Sequence, residues 1–123
     1  MRKLKILVVD DIFTNRYLLG EVIRLSQHEV LMAENGEEAL EIIQKEEIDL
    51  VFMDIEMPVM NGIETTRYIR DQLAPPLCAL PVIALTAHNP ELFFDDFSDA
   101  GFDQLITKPY TGEKIRAIIQ SLA

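Results

Sequence analysis

The chain is predicted to form a doubly wound α/β domain: a five-stranded parallel sheet in the order 2-1-3-4-5, with five helices shared between its two faces. Three observations predict it. Short apolar runs alternate strictly with amphipathic stretches, and strand–helix–strand repetition is what a parallel sheet with covering helices requires. Three of the runs are almost purely apolar, which is how a strand buried on both faces reads. Most of the helical stretches open with side chains able to satisfy the unpaired N–H groups of a first turn.

The first strand is the run Leu4 to Val9, and a helical pattern follows near 14–27. The second is Val30 to Ala33; Asn35 and Glu38 then have capping-box spacing at the head of a helix over 36–46. The third, Leu50 to Met53, runs into Asp54 and is ended by Met57-Pro58, and Asn61 with Glu64 opens a helix over 61–73. Ala74 to Leu80, APPLCAL, is longer than the fold needs; its two prolines predict a stiff, extended connection. The fourth strand is Pro81 to Thr86. Asn89-Pro90 then supplies an N-cap and a first-turn proline for a helix over 90–100, which Gly101 should stop. In that helix Phe93 and Phe97, four apart, should pack on the sheet, with Phe94 turned partly outward. The fifth strand is Leu105 to Thr107, and Thr111 caps a last helix over 111–122.

At 123 residues the chain suits one domain, 1–123, long enough to bury a core. A formal charge of −10 argues against direct nucleic-acid binding, which needs clustered Lys and Arg. Cys78 is the single cysteine, so a disulfide framework and a cysteine-rich zinc site are excluded and a reducing compartment fits best. No apolar run approaches the roughly 20 residues of a membrane span, and MRKLKILVVDD turns acidic where a signal peptide would stay apolar. The expectation is a cytoplasmic protein, or a cytoplasmic domain of a longer one, with no direct contact to membrane.

All strands of a parallel sheet end along one edge, and ligands bind there, where the strand order reverses. In the order 2-1-3-4-5 that point lies between strands 1 and 3. Asp10 and Asp11 follow strand 1 and Asp54 follows strand 3, so three carboxylates should converge although they are far apart in sequence. Like charges so close repel and raise one another's pKa unless something compensates. A hard divalent cation such as Mg²⁺ suits an all-oxygen site of this kind. Strand 4 ends in Thr86-Ala87 and strand 5 in Lys108-Pro109, adding a hydroxyl, a backbone N–H and an ammonium to the same edge. Those parts together hold a phosphoryl group during transfer, with Asp54 placed as nucleophile.

With these residues in place, the sequence resembles response-regulator receiver domains, which have a flavodoxin-like fold, over essentially its whole length. The resemblance is carried by VVDD at 8–11, MDIEMPVMNGIE at 53–64, VIALTA at 82–87 and TKP at 107–109, in order at the ends of strands 1, 3, 4 and 5. It implies that Asp54 accepts a phosphoryl group from a phosphohistidine on a partner, a sensor histidine kinase or a histidine phosphotransfer protein. It also implies that Asp11, Asp54 and the Glu56 backbone carbonyl bind Mg²⁺ directly, with Asp10 acting through a metal-bound water. Lys108 would pair with the phosphoryl oxygens, and Thr86 and the Ala87 N–H would hydrogen-bond them after transfer. MPVMNGIETTRYIR and PVIALTAH are similar to receivers attached to hybrid sensor kinases.

Two positions depart from the family pattern. Leu105 stands where the family usually has an aromatic switch residue, which removes the aromatic side chain of that readout while leaving the transfer ligands intact. Ile12 stands where hybrid-type receivers often carry a polar residue. Together with Phe13 and Tyr110 it flanks the acidic pocket, and these three are the expected partner surface. The resemblance also implies that Glu56 and His88, two residues beyond Asp54 and Thr86, border the phosphoryl position, which makes them candidates for tuning its hydrolysis; read alone, both are ordinary loop residues. The expected role is a phosphoacceptor signalling domain, not a turnover enzyme; the alternative is a non-cycling receiver that acts as a protein-binding scaffold. An FMN carrier on the same fold would need a Ser/Thr/Gly-rich loop where DDIFTNR stands, and an Asp-x-Asp phosphatase would need an acid other than Glu56 two residues beyond Asp54.

Overall fold

A computed structural model of the protein describes residues 3–87 and 100–122. Strands β1 (Lys5–Val9), β2 (Glu29–Ala33), β3 (Leu50–Asp54), β4 (Val82–Thr86) and β5 (Gln104–Thr107) form one sheet in the order β2-β1-β3-β4-β5. Every neighbouring pair is parallel, as expected from the apolar runs. The helices among the described residues are α1 (Phe13–Leu25), α2 (Gly36–Lys45), α3 (Gly62–Gln72) and α4 (Gly112–Leu122). The helix expected over 90–100, with Phe93, Phe94 and Phe97, lies outside the described residues, as do His88 and the Asn89-Pro90 start.

Side chains alternate along a strand, so the continuous apolar runs feed two cores at once. On one face Ile6, Val8, Leu50, Phe52, Ile83 and Leu85 pack against Leu19 and Ile23 of α1 and Ile115, Ile118 and Ile119 of α4. Their sequence neighbours Leu7, Val9, Val51, Met53 and Val82 face the other way, onto Ala39 and Ile43 of α2 and Ile69 of α3. The central strands β3 and β4 are buried at every position, which is why their runs show no polar alternation.

The helix starts follow the expected chemistry with one adjustment. Asn61 and Glu64 make both bonds of the capping box, and the Thr111 hydroxyl accepts from the Lys114 N–H at 3.1 Å. Asn35 accepts from the Glu38 N–H, but the Glu38 carboxylate reaches one residue further back, to the Glu34 N–H. The α1 start has no side-chain cap and no acid in its first turn.

The connection over 74–80 is not extended. It folds into a 3₁₀ turn at Leu77–Ala79, with Leu77 packed against the α2–α3 core. Arg70 of α3 explains the compaction. Its guanidinium donates to the carbonyls of Gly101 (2.9 Å), Cys78 (3.0 Å) and Leu80 (2.8 Å) and pairs with Asp103 at 3.0 Å. One side chain thereby ties the entry of β4 to the approach of β5. Gly101, at φ 95°, sits directly over the Arg70 stem, where a Cβ would lie 2.8 Å from its Cγ. Arg70→Ala is expected to destabilise the fold by about 2–4 kcal/mol, since it strands partly buried carbonyls; the Asp103 carboxylate, half exposed, keeps the Val82 N–H as donor. A urea midpoint unchanged from wild type would refute this role.

Candidate functional site

The site forms at the C-terminal ends of β1, β3, β4 and β5. Val9 pairs with Met53 in the β1–β3 register, so the next residues, Asp10 and Asp54, emerge side by side where the strand order reverses. Thr86 pairs with Thr107 in β4–β5, and the Lys108 N–H donates to the Thr86 carbonyl at 2.7 Å, bringing the lysine back over the same edge. The α3 start closes in from below. A Cβ on Gly62 would sit 2.3 Å from the Asp54 carbonyl oxygen, so only glycine lets this helix seat against the strand end.

Asp10 and Asp54 are buried and Asp11 is exposed, yet one carboxylate oxygen from each lies within 4.8 Å of those of the other two. The Lys108 ammonium donates to Asp54 Oδ1 at 3.1 Å and stands 3.6 Å from Asp10 Oδ2. Asp10 is held on further sides: its N–H donates to the Ala33 carbonyl, and its Oδ1 accepts from the Ile12 N–H at 2.9 Å. Burial, and then the neighbouring Asp10 carboxylate, push Asp54 up to about 6 against the opposing pull of Lys108. Burial alone would lower the lysine; the Asp54 and Asp10 carboxylates outweigh it and hold the ammonium above its usual range.

These residues wall a cavity of about 230 Å³ lined by Asp11, Ile12, Asp54, Ile55, Glu56, Thr86, Ala87 and Lys108. Asp54, Lys108, Thr86, Ala87, Asp11 and Glu56 therefore share one small pocket, with Asp10 beneath it. The donor set fits a hard divalent cation: three carboxylates converge, all ligands are oxygen, and one ammonium leaves Asp54 still short of compensating charge.

The expected partner surface divides in two. Ile12, half exposed, belongs to the acidic pocket, whereas Tyr110 lines a separate groove of about 470 Å³ between α1 and α4, with Asn15, Leu18, Leu19, Val22, Lys108, Pro109 and Gly112. Phe13, 68% exposed, stacks on Tyr17 on the outer side of α1. Burial raises the Tyr110 phenol above its ordinary range, with Lys108 opposing. Leu105 is half-buried and packs with Ile55, Ala84, Ile63 and Phe102, so it occupies the sheet face on the α3 side.

Sequence patterns did not single out Arg16. It is buried, donates from Nη1 to the Asp10 carbonyl at 2.7 Å, and pairs with Glu34 at 3.3 Å. The available signal was a cation near the start of a helix with no first-turn acid, the end where the helix dipole disfavours positive charge.

Comparison with known proteins places this geometry. Residues 6–120 match the family described as Response regulator receiver domain. The chain is similar to part of the autoinducer 2 sensor kinase/phosphatase LuxQ of Vibrio vulnificus, 35% identical over 91% of this chain and 13% of that protein. It is 37% identical to hybrid signal transduction histidine kinase A of Dictyostelium discoideum, over 87% of this chain and 5% of the relative. The chain thus spans a small fraction of both relatives. The receiver domain of sensor histidine kinase PA1611 from Pseudomonas aeruginosa, solved with a magnesium ion in its active-site cleft, superposes with a TM-score of 0.88. It is 26% identical, over 98% of each chain. Matched by that family over residues 6–120, the chain, with its three converging acids and paired lysine, belongs to the response regulator receiver domains of two-component signalling.

Proposed function

We propose that this receiver takes a phosphoryl group from a phosphohistidine onto Asp54 and passes on the change in charge as a change in partner affinity. The observation that carries the reading is the meeting of Asp10, Asp11 and Asp54 beneath an ammonium already bonded to Asp54. An Asp54 carboxylate oxygen attacks phosphorus, the phosphorus–nitrogen bond breaks, and its electron pair returns to the imidazole; the product is an acyl phosphate. Lys108 is placed to follow the charge from the carboxylate oxygen to the phosphoryl oxygens, and the Thr86 hydroxyl and Ala87 N–H line the same cavity as donors. Asp11, Asp54 and the Glu56 carbonyl are the candidates to hold Mg²⁺, with Asp10 supporting through water; the bound ion would offset charge on the transferring group.

The donor is a sensor histidine kinase or a histidine phosphotransfer protein, in keeping with the likeness to kinase-borne receivers. It would dock on the rim formed by Ile12, Phe13 and Tyr110, two of which expose large apolar surface. Such donors place the reaction in the cytoplasm, and no helix among the described residues is long and apolar enough to cross a membrane. The transferred group adds a charge of about −1.5 to −2 at the β3 end.

Intact-protein mass after incubation with acetyl phosphate tests the reading. A gain of one phosphoryl mass that requires both Mg²⁺ and Asp54, and is lost in Asp54→Ala or with chelator, is expected. No adduct from acetyl phosphate or from a phosphohistidine protein would replace the reading with the scaffold alternative.

A further inference from the structure

The position of Arg16 is costly in three ways. It is 7% exposed, and a guanidinium taken out of water needs full pairing to be tolerated. It lies in the first turns of α1, where the helix dipole opposes a cation, and no acid of that first turn offsets it. Its charge partner Glu34 has a side chain 63% exposed, so that ion pair contributes little. The strong contact is instead the 2.7 Å bond to a main-chain carbonyl, that of Asp10.

That carbonyl belongs to the peptide unit joining Asp10 to Asp11. Fixing it fixes the plane through which the chain turns, and with it the direction in which Asp11 leaves the strand. Asp11 needs this, because it is exposed while Asp10 is anchored by the Ala33 carbonyl, the Ile12 N–H and Lys108. The second arm of the fork, from Nη2 to Glu34 at 3.3 Å, straps the β1–α1 turn to the β2–α2 turn. The Phe13 ring lies 5.7 Å from the guanidinium carbon, covering it on the outer side.

We infer that Arg16 is a positioning residue for the divalent cation: by holding the Asp10–Asp11 peptide it keeps the Asp11 carboxylate in the acid cluster. It touches neither the phosphoryl group nor the ion. The inference rests on the Mg²⁺ site proposed above. Its observable is therefore cation affinity, measured without any phosphoryl donor.

The test is Mg²⁺ titration of ¹⁵N-labelled protein by NMR, well below the melting temperature of each variant. Arg16→Ala, and Arg16→Met, which keeps the packing of the stem without its donors, are each expected to weaken Mg²⁺ binding about tenfold or more, with the largest shift changes at Asp11. Arg16→Lys, with one donor group in place of a fork, should recover part of the loss. A purely structural arginine would lower the melting temperature and leave the affinity of the folded variant unchanged. Folded Ala or Met variants that bind Mg²⁺ within twofold of wild type would overturn the inference. So would failure of both to fold, which would assign Arg16 to the scaffold alone. Wild type that binds no Mg²⁺ would overturn the metal site itself, a result distinct from either.

Discussion

Lys108→Ala is expected to slow phosphoryl incorporation from acetyl phosphate by roughly 10²-fold or more, the loss typical of one preorganised donor aimed at developing charge. The structure gives the reason in the resting state. Lys108 is the cation 3.1 Å from Asp54 Oδ1 and 3.6 Å from Asp10 Oδ2, and it opposes the burial that drives the Asp54 carboxyl upward. Removing it acts twice, by deleting the donor and by letting the Asp54 carboxyl rise beyond about 6, so that less carboxylate is present near neutrality. The two effects separate experimentally. A ¹³C-carboxyl titration without Mg²⁺ reports the acidity of Asp54 directly and should move upward in Lys108→Ala, while the loss of the donor shows in the rate of incorporation with Mg²⁺ saturating. Wild-type incorporation in this variant would remove Lys108 from the transfer chemistry.

Asp54→Asn is expected to stabilise the fold at pH 8 without Mg²⁺, by up to about 3 kcal/mol, the equivalent of moving a carboxyl from 3.8 to about 6. The sign is opposite to that of an ordinary paired aspartate. Here the folded-state pKa lies above the unfolded value, so the unfolded chain releases the proton first as pH rises. Stability is whole below 3.8, declines as pH climbs toward about 6, and stays reduced above it. The melting temperatures of wild type and Asp54→Asn should therefore converge near pH 4 and diverge toward pH 8. Saturating Mg²⁺ should narrow the gap, because an ion that binds only the folded wild-type site restores stability there. A wild type that matches or exceeds Asp54→Asn at pH 8 in the absence of metal would show that Lys108 fully compensates the site.

The parts of this architecture that were legible in sequence are those set by local periodicity. β1, β3 and β4 announce themselves because a strand covered on both faces is apolar at consecutive positions, as Val51, Phe52 and Met53 are. Once those strands were parallel and in order, the meeting of Asp10, Asp11 and Asp54 followed from topology alone, with no need for side-chain detail. Arg16 and Arg70 were not legible. Each lies on a helix, and apart from the unfavourable helix-start position of Arg16 nothing local marks either out; their significance comes from carbonyls that tertiary folding delivers, at Asp10 for one and at Gly101, Cys78 and Leu80 for the other. The loop over 74–80 misled for the same reason. Its prolines argue for stiffness, but the Arg70 bonds and the packing of Leu77 decide its shape.

The two-sided sheet sets a rule for length changes in this chain. Neighbouring residues of β1 and β3 belong to opposite cores, so deleting one residue from Leu50 to Met53 would shift the strand on one side of the deletion by one position and send each shifted side chain into the wrong layer; a shift on the C-terminal side would turn Asp54 away from Asp10. A substitution disturbs one layer, whereas a deletion disturbs both layers and the site together. At the opposite edge of the sheet, a residue added in the turn at Ser26–Gln27 between α1 and β2 passes through neither core, and its cost is confined to the N–H bonds that Ser26, Gln27 and His28 make to the last turn of α1.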